Sequence, residues 1–240
     1  MTKTTGAGAE LSAFLDGRTF GCVMADPPWR FTNRTGKVAP EHKRLARYPT
    51  MELDEICALP VAKHLDPRAH CYLWVPNALL PDGLQVLKSW GFEYKSHIVW
   101  EKIRKDGGPD GRGVGFYFRN VTEILLFGVR GKDIRTLAPG RSQVNYIEAA
   151  EPADDNEPNG DHAQPDGDLL KTRKREHSRK PDEQYGIIES CSWGPYLELF
   201  GRGKRKGWTV WGNQADDDYK PTWNTYSHNS ATDVIATPAE

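Results

Sequence analysis

The sequence predicts an α/β domain in three layers, with helices on both faces of a largely parallel sheet. Six short apolar runs have strand length, and helix-period stretches lie between some of them. The 240 residues are enough for one domain with a sizeable core.

In chain order, residues 1–18 read as an N-terminal tail, followed by a first buried strand, "FGCVMA" at 20–25. The stretch 50–59, "TMELDEICAL", predicts a helix, with Thr50 as N-cap and Leu53, Ile56 and Leu59 at helical spacing. A second strand is predicted at 70–75, "HCYLWV", then a helix within 76–92 that stops at Gly91. Strands follow at 93–100, "EYKSHIVW", and 122–129, "TEILLFGV". Pro181 suits the first turn of a helix over 181–193. Two last strands, "PYLELF" at 195–200 and "GWTVWG" at 207–212, flank a glycine-rich basic connection. The domain is thus expected over 19–214, with residues 215–240 as a C-terminal tail.

Residues 151–168 carry seven carboxylates, three prolines and no Lys or Arg. That composition offers too little apolar surface to offset ordering, and predicts a flexible acidic insertion.

The formal net charge of -1 excludes a polycation, so any nucleic-acid binding must use local basic patches. No apolar run reaches the length of a membrane span, and the N-terminus lacks the hydrophobic core of a signal peptide. A cytoplasmic protein with no membrane partner is expected. Cys22, Cys57, Cys71 and Cys191 are scattered without CxxC spacing, and the seven histidines form no cluster. No metal site is predicted.

"DPPW" at 26–29 admits two readings. In one, a strand ends in a rigid turn and Trp29 packs on the core. In the other, the group is catalytic toward an adenine amine. That nitrogen is a poor nucleophile because its lone pair is delocalised into the ring. Asp26 and the carbonyl of Pro27 would accept hydrogen bonds from its two protons and free the lone pair. Pro27 and Pro28 restrict φ and donate no competing N–H, so the carbonyl keeps a fixed direction. Trp29 would offer an extruded base a stacking face.

Three further motifs are ambiguous alone. The basic run 171–180 has the composition of a solvated face. "ELFGR" with "GWTVWGNQ" has no GxGxxG phosphate fingerprint, which disfavours a dinucleotide dehydrogenase. "VWEK" (99–102) and "GRGVGFYFRNVTEILLFG" (111–128) combine glycines, aromatics and arginines, which suits a glycine hairpin or close approach to a nucleotide backbone.

Taken in order, "ADPPW", "YPTM", "YLWV", "VWEK", "GVGFYFRNVTE", "HSRKPDEQY" and "ELFGR…GW…WGNQ" resemble the MT-A family of adenine-N6 methyltransferases, from about Val23 to Gln214. The resemblance implies a Rossmann-like methyltransferase fold in which the catalytic motif precedes the cofactor-binding segment, with S-adenosylmethionine as methyl donor and no metal. It implies a catalytic loop of Asp26, Pro27, Pro28 and Trp29, and a target-nucleotide site of Tyr48, Lys102, Arg119 and Glu123. It assigns the cofactor to Lys180, Phe200, Arg202, Asn213 and Gln214, with Lys180 paired to the cofactor's carboxylate.

Two departures from the family pattern stand out. Thr122 occupies a position where bacterial relatives often place histidine, and the acidic insertion is long. The implied partner is a nucleic acid, DNA ahead of RNA, because no appended RNA-reading module is recognisable. Arg30, Arg34, Lys37, Lys43, Arg44, Arg47, Arg112, Arg119 and the 171–175 run would contact phosphates. A homodimer, or a heterodimer with a related subunit, is compatible with the pattern. The alternative from another class is a non-catalytic nucleic-acid-binding subunit, which the intact "DPPW", Lys180 and Arg202 disfavour. A methyltransferase for a protein amide is disfavoured by Asp26, since such enzymes usually carry Asn there.

Overall fold

The computed structural model describes residues 6–30, 50–103, 117–118, 120–150, 180–213 and 215. Seven strands form one sheet: β1 (Phe20–Ala25), β2 (Leu65–Val75), β3 (Glu93–Ile103), β4 (Thr122–Arg130), β5 (Tyr146–Ala150), β6 (Tyr196–Leu199) and β7 (Trp208–Trp211). Their spatial order is β5-β3-β4-β2-β1-β6-β7. The helices are α1 (Gly6–Leu15), α2 (Leu53–Cys57), α3 (Leu80–Ser89) and α4 (Glu183–Cys191).

The sheet is mixed. β1 runs parallel to β2 and β6, β6 to β7, and β3 to β5, whereas β4 is antiparallel to both β2 and β3. The C-terminal ends of β1, β2, β3 and β6 therefore share one edge with the N-terminal end of β4. β1 is the switch point, since the chain leaves it for β2 on one side and later returns to β6 on the other. In open α/β sheets, ligands bind in the crevice at the carboxyl edge beside such a point.

Alternation along the strands sorts side chains onto two faces. Cys71, Leu73 and Val75 of β2 join Val23 and Ala25 of β1 in a core with Leu11, Ile56, Val86 and Trp90, which lie on or beside α1, α2 and α3. Tyr72, Trp74, Cys22 and Met24 face the other way and pack with Tyr185, Ile187 and Ile188 of α4. These are the two helical layers that the sequence predicts.

Three details differ from the sequence reading. The segment taken as an N-terminal tail contains α1, whose Leu11 and Leu15 are fully buried. The pair lies four residues apart on one helix face, a signal masked by the surrounding small residues. β5 was not expected, because "YIEAA" is short and ends in Glu and two Ala, which are depleted in strands; pairing with β3, from Val99↔Tyr146 onward, fixes it. The helix over 50–59 starts later than Thr50: its N-cap is Glu52, whose N–H donates to the Glu55 carboxylate at 2.9 Å. The acidic insertion at 151–168 and the tail from 216 lie outside the described residues.

Leu11→Ala should lower unfolding free energy by roughly 2–5 kcal/mol in urea denaturation, the cost of a core cavity. A true tail would give no change.

Candidate active site

β1 delivers "DPPW" to the carboxyl edge, and local hydrogen bonds fix the turn. The Asp26 N–H donates to the Leu199 carbonyl at 3.3 Å, which ties the motif to the end of β6. The Trp29 N–H donates to the Pro27 carbonyl at 2.8 Å, and the Met51 N–H to the Pro28 carbonyl at 2.9 Å. A carbonyl has two lone pairs, so Pro27 keeps one after serving Trp29.

Trp29 itself is buried in the core, and its ring N–H donates to the Trp74 carbonyl at 2.9 Å. The open stacking face expected for an extruded base is absent, because the ring is packed against the core and anchors the loop. Trp74 in turn donates its ring N–H to Gln184 of α4 at 2.6 Å. The "DPPW" loop, the sheet and α4 are thus joined through two indoles.

Lys180, just before α4, brings together groups distant in sequence. Its ammonium lies 3.1 Å from Asp26 and 3.0 Å from Glu123 at the start of β4. Glu123 also pairs with Lys102 at the end of β3. The charges alternate as Asp26, Lys180, Glu123, Lys102, and each lysine sits on an indole. Lys180 is 5.5 Å from the Trp74 ring centroid and Lys102 is 5.0 Å from that of Trp100. The two indoles meet edge to face at 5.8 Å.

Electrostatics follow from this order. Burial raises the Asp26 pKa; the Lys180 charge opposes that rise and Glu123 adds to it, leaving Asp26 above the ordinary carboxylate value. Burial would also raise Glu123, but Lys180 and Lys102 outweigh it and hold its pKa at about 2. Burial works against the charge on Lys180, yet Asp26 and Glu123 more than compensate and raise its pKa. The side chain of Asp26 remains 32% exposed, so the carboxylate is reachable from solvent while Lys180, at 12%, lies beneath it.

The remaining expected residues sit on the same edge. Phe200 follows β6 with φ +65°, and its ring meets Trp211 edge to face at 5.4 Å. Arg202 is close enough to Asp26 for its charge to favour the ionised carboxylate. Asn213 is exposed just beyond β7. Gly201 and Gly212 let the two strand ends close up, since a Cβ on Gly212 would lie 2.5 Å from the Gly201 carbonyl oxygen. Tyr48, Arg119 and Gln214 lie outside the described residues, as do Arg34, Lys37, Lys43, Arg44, Arg47, Arg112 and the 171–175 run. Arg30, expected on the strand-binding surface, forms an exposed ion pair with Glu52. Thr122 accepts from the Asn77 amide at 3.0 Å through both its hydroxyl and its carbonyl oxygen.

Glu198 of β6 is a site residue that sequence reasoning missed. It is buried, accepts from the Tyr185 hydroxyl at 3.0 Å on each carboxylate oxygen, and lies close enough to Asp26 for that charge to disfavour its ionisation. Burial raises its pKa to about 7, against the lowering effects of Tyr185 and Arg205. The signal was a carboxylate inside a hydrophobic strand, in "ELFGR". Among the described residues, no group of three or more His, Cys, Asp or Glu side chains is placed to hold a metal. No helix among them is long and apolar enough to cross a membrane.

The MT-A70 family model matches residues 20–214. The N(6)-adenosine-methyltransferase MT-A70-like protein of Drosophila melanogaster is 31% identical over 201 residues, covering 82% of this chain and 27% of that protein. Human N(6)-adenosine-methyltransferase catalytic subunit METTL3 is 30% identical over 201 residues, covering 82% of this chain and 28% of that protein. Type II methyltransferase M.MunI of a Mycoplasma species is 26% identical over 223 residues, covering 85% of this chain and 81% of that protein. The chain spans about a quarter of the length of the two adenosine methyltransferases.

The stability contributed by Glu123 is full above its ordinary value of 4.5 and is lost as pH falls toward about 2. Glu123→Gln should flatten that part of the stability curve in acid titrations of the urea midpoint. Lys180→Met, which strands two carboxylates, should cost roughly 3–5 kcal/mol at neutral pH.

Proposed function

The chain belongs to the MT-A70 family, and from that premise we propose that it methylates the exocyclic N6 amine of adenine in DNA, with S-adenosylmethionine as donor. One observation carries this reading. A solvent-reachable carboxylate, Asp26, is held over a buried ammonium and followed by a proline carbonyl with a spare lone pair.

The donor set suits S-adenosylmethionine. Two of the three N–H donors of Lys180 are accounted for by Asp26 and Glu123, and the third suits a carboxylate. Glu198 is an acceptor for hydroxyl groups at the end of β6, and Arg202 and Asn213 add donors along the same edge. The bound cofactor would supply an electrophilic methyl group.

All else falls to the chain. Asp26 and the Pro27 carbonyl accept hydrogen bonds from the two amine N–H groups and turn the nitrogen lone pair out of the ring plane. The freed lone pair would then be available to the methyl group that the bound cofactor supplies. Asp26 stands beside the proton that the methylated nitrogen sheds. Lys180 is a positioning residue, which fixes the carboxylate and favours its ionised form. Trp29 anchors the loop from below through Trp74. The catalytic gain comes from orientation and preorganised acceptors.

The match along 81% of a type II methyltransferase favours DNA. The matches to two proteins named N(6)-adenosine-methyltransferases favour RNA as the second reading. Labelled S-adenosylmethionine offered with parallel DNA and RNA pools should give labelled N6-methyladenine in the DNA pool. Label confined to RNA would transfer the proposal to that polymer, and label in neither would support a non-catalytic subunit.

Asp26→Ala should reduce transfer on the order of a hundredfold or more while leaving cofactor affinity largely intact. Wild-type transfer by a folded variant would overturn the mechanism. The wild-type rate should fall on the acid side as Asp26 protonates, above the 3.8 of an ordinary aspartate.

A further inference from the structure

The residues before β4 hold the two most exposed large hydrophobic side chains among those described. Tyr117 is 93% exposed and Phe118 is 86% exposed, whereas the other exposed large hydrophobics fall between 37% and 52%. Scattered half-exposed apolar groups are ordinary on a protein surface. Two adjacent aromatic rings left almost wholly in water forgo a large burial gain, and such surface commonly marks a binding site.

Their place in the fold narrows the choice of partner. Phe118 precedes Thr122 by four residues, so the two α-carbons are at most about 14 Å apart even along extended chain. Thr122 is in register with Glu101, and the Lys102 N–H donates to the Val121 carbonyl at 2.8 Å. The chain therefore enters the sheet on the edge that carries Asp26, Glu123 and Lys180. The backbone bends at 117–118, and both rings are exposed there. The surrounding sequence, 111–120, contains two arginines and no carboxylate, which suits a polyanion.

We propose that Tyr117 and Phe118 are stacking platforms for the unpaired bases next to the target adenine. The inference rests on the nucleic-acid reading of the site and deepens it: the ligand is a single-stranded or locally opened segment, held by base faces as well as phosphates. Every base has a π-face, so this contact tolerates sequence and lets one site accept different neighbours. It also supplies the stacking that Trp29, buried beneath the loop, does not.

The test is fluorescence anisotropy with a labelled twelve-nucleotide single strand containing one adenine, as DNA and as RNA, across a salt series. Tyr117→Ala and Phe118→Ala should each weaken binding on the order of tenfold, the usual loss for one stacked base. Loss of stacking should leave the slope of log affinity against log salt unchanged, whereas loss of a phosphate contact reduces it. Tyr117→Phe and Phe118→Trp should restore wild-type affinity, and an abasic site beside the adenine should remove the effect of alanine. Binding by the double alanine variant within twofold of wild type would overturn the inference. So would a reduced salt slope, or a change in sedimentation showing that the rings cover a second protein chain. If wild type binds and methylates the strand while the variants behave alike, the stacking inference falls alone. If wild type neither binds nor methylates any strand, the nucleic-acid reading falls with it.

Discussion

The site depends on one ammonium group shared by two carboxylates. Lys180 touches Asp26 and Glu123 at hydrogen-bond distance, and its own charge is favoured because both are ionised. Remove it, and two acidic groups remain in a recess where burial already penalises their charge. Asp26 would then protonate more readily and cease to be an acceptor at both oxygens. The three residues come from the end of β1, the start of β4 and the approach to α4, so the same contact holds together distant parts of the chain. Trp74 gives it a floor: the indole faces Lys180, its N–H holds α4 and its carbonyl holds Trp29.

Strand parity explains why these groups converge. Glu123 lies on the same face of β4 as Leu125 and Phe127, which pack toward α4. Lys102 extends the face of Ile98 and Trp100, and Glu198 lies opposite in parity to Leu197 and Leu199, which point into the other core. Asp26 follows Met24 on the α4 side. A one-residue slip in any of these strands would turn its charged residue onto the other face. The mixed direction of the sheet matters too, since only an antiparallel β4 brings its N-terminal residue to the carboxyl edge of its neighbours.

Much of this was legible in the sequence. Six apolar runs became six strands with ends shifted by a few residues, because buried strands carry their signal locally. The "DPPW" turn was legible as a constrained loop, and the structure shows Trp29 packed in the core while Asp26 stays partly exposed. What could not be read was pairing. That Lys180 meets Asp26 and Glu123 depends on contacts separated by many residues, which no spacing rule encodes. β5 is only five residues long, too brief a local signal, and is fixed by its partner strand. Glu198 lies between strand leucines, where a buried carboxylate needs a partner, but that partner, Tyr185, is supplied by a different element.

The most direct measurement of this account is the carboxyl titration of Asp26 by carbon-13 NMR in selectively labelled protein, compared with Lys180→Met. The wild-type pKa should lie above 3.8, since burial outweighs the lysine, and loss of the lysine should raise it further. An Asp26 titration unmoved by the substitution would contradict the central claim that Lys180 keeps this buried carboxylate ionised.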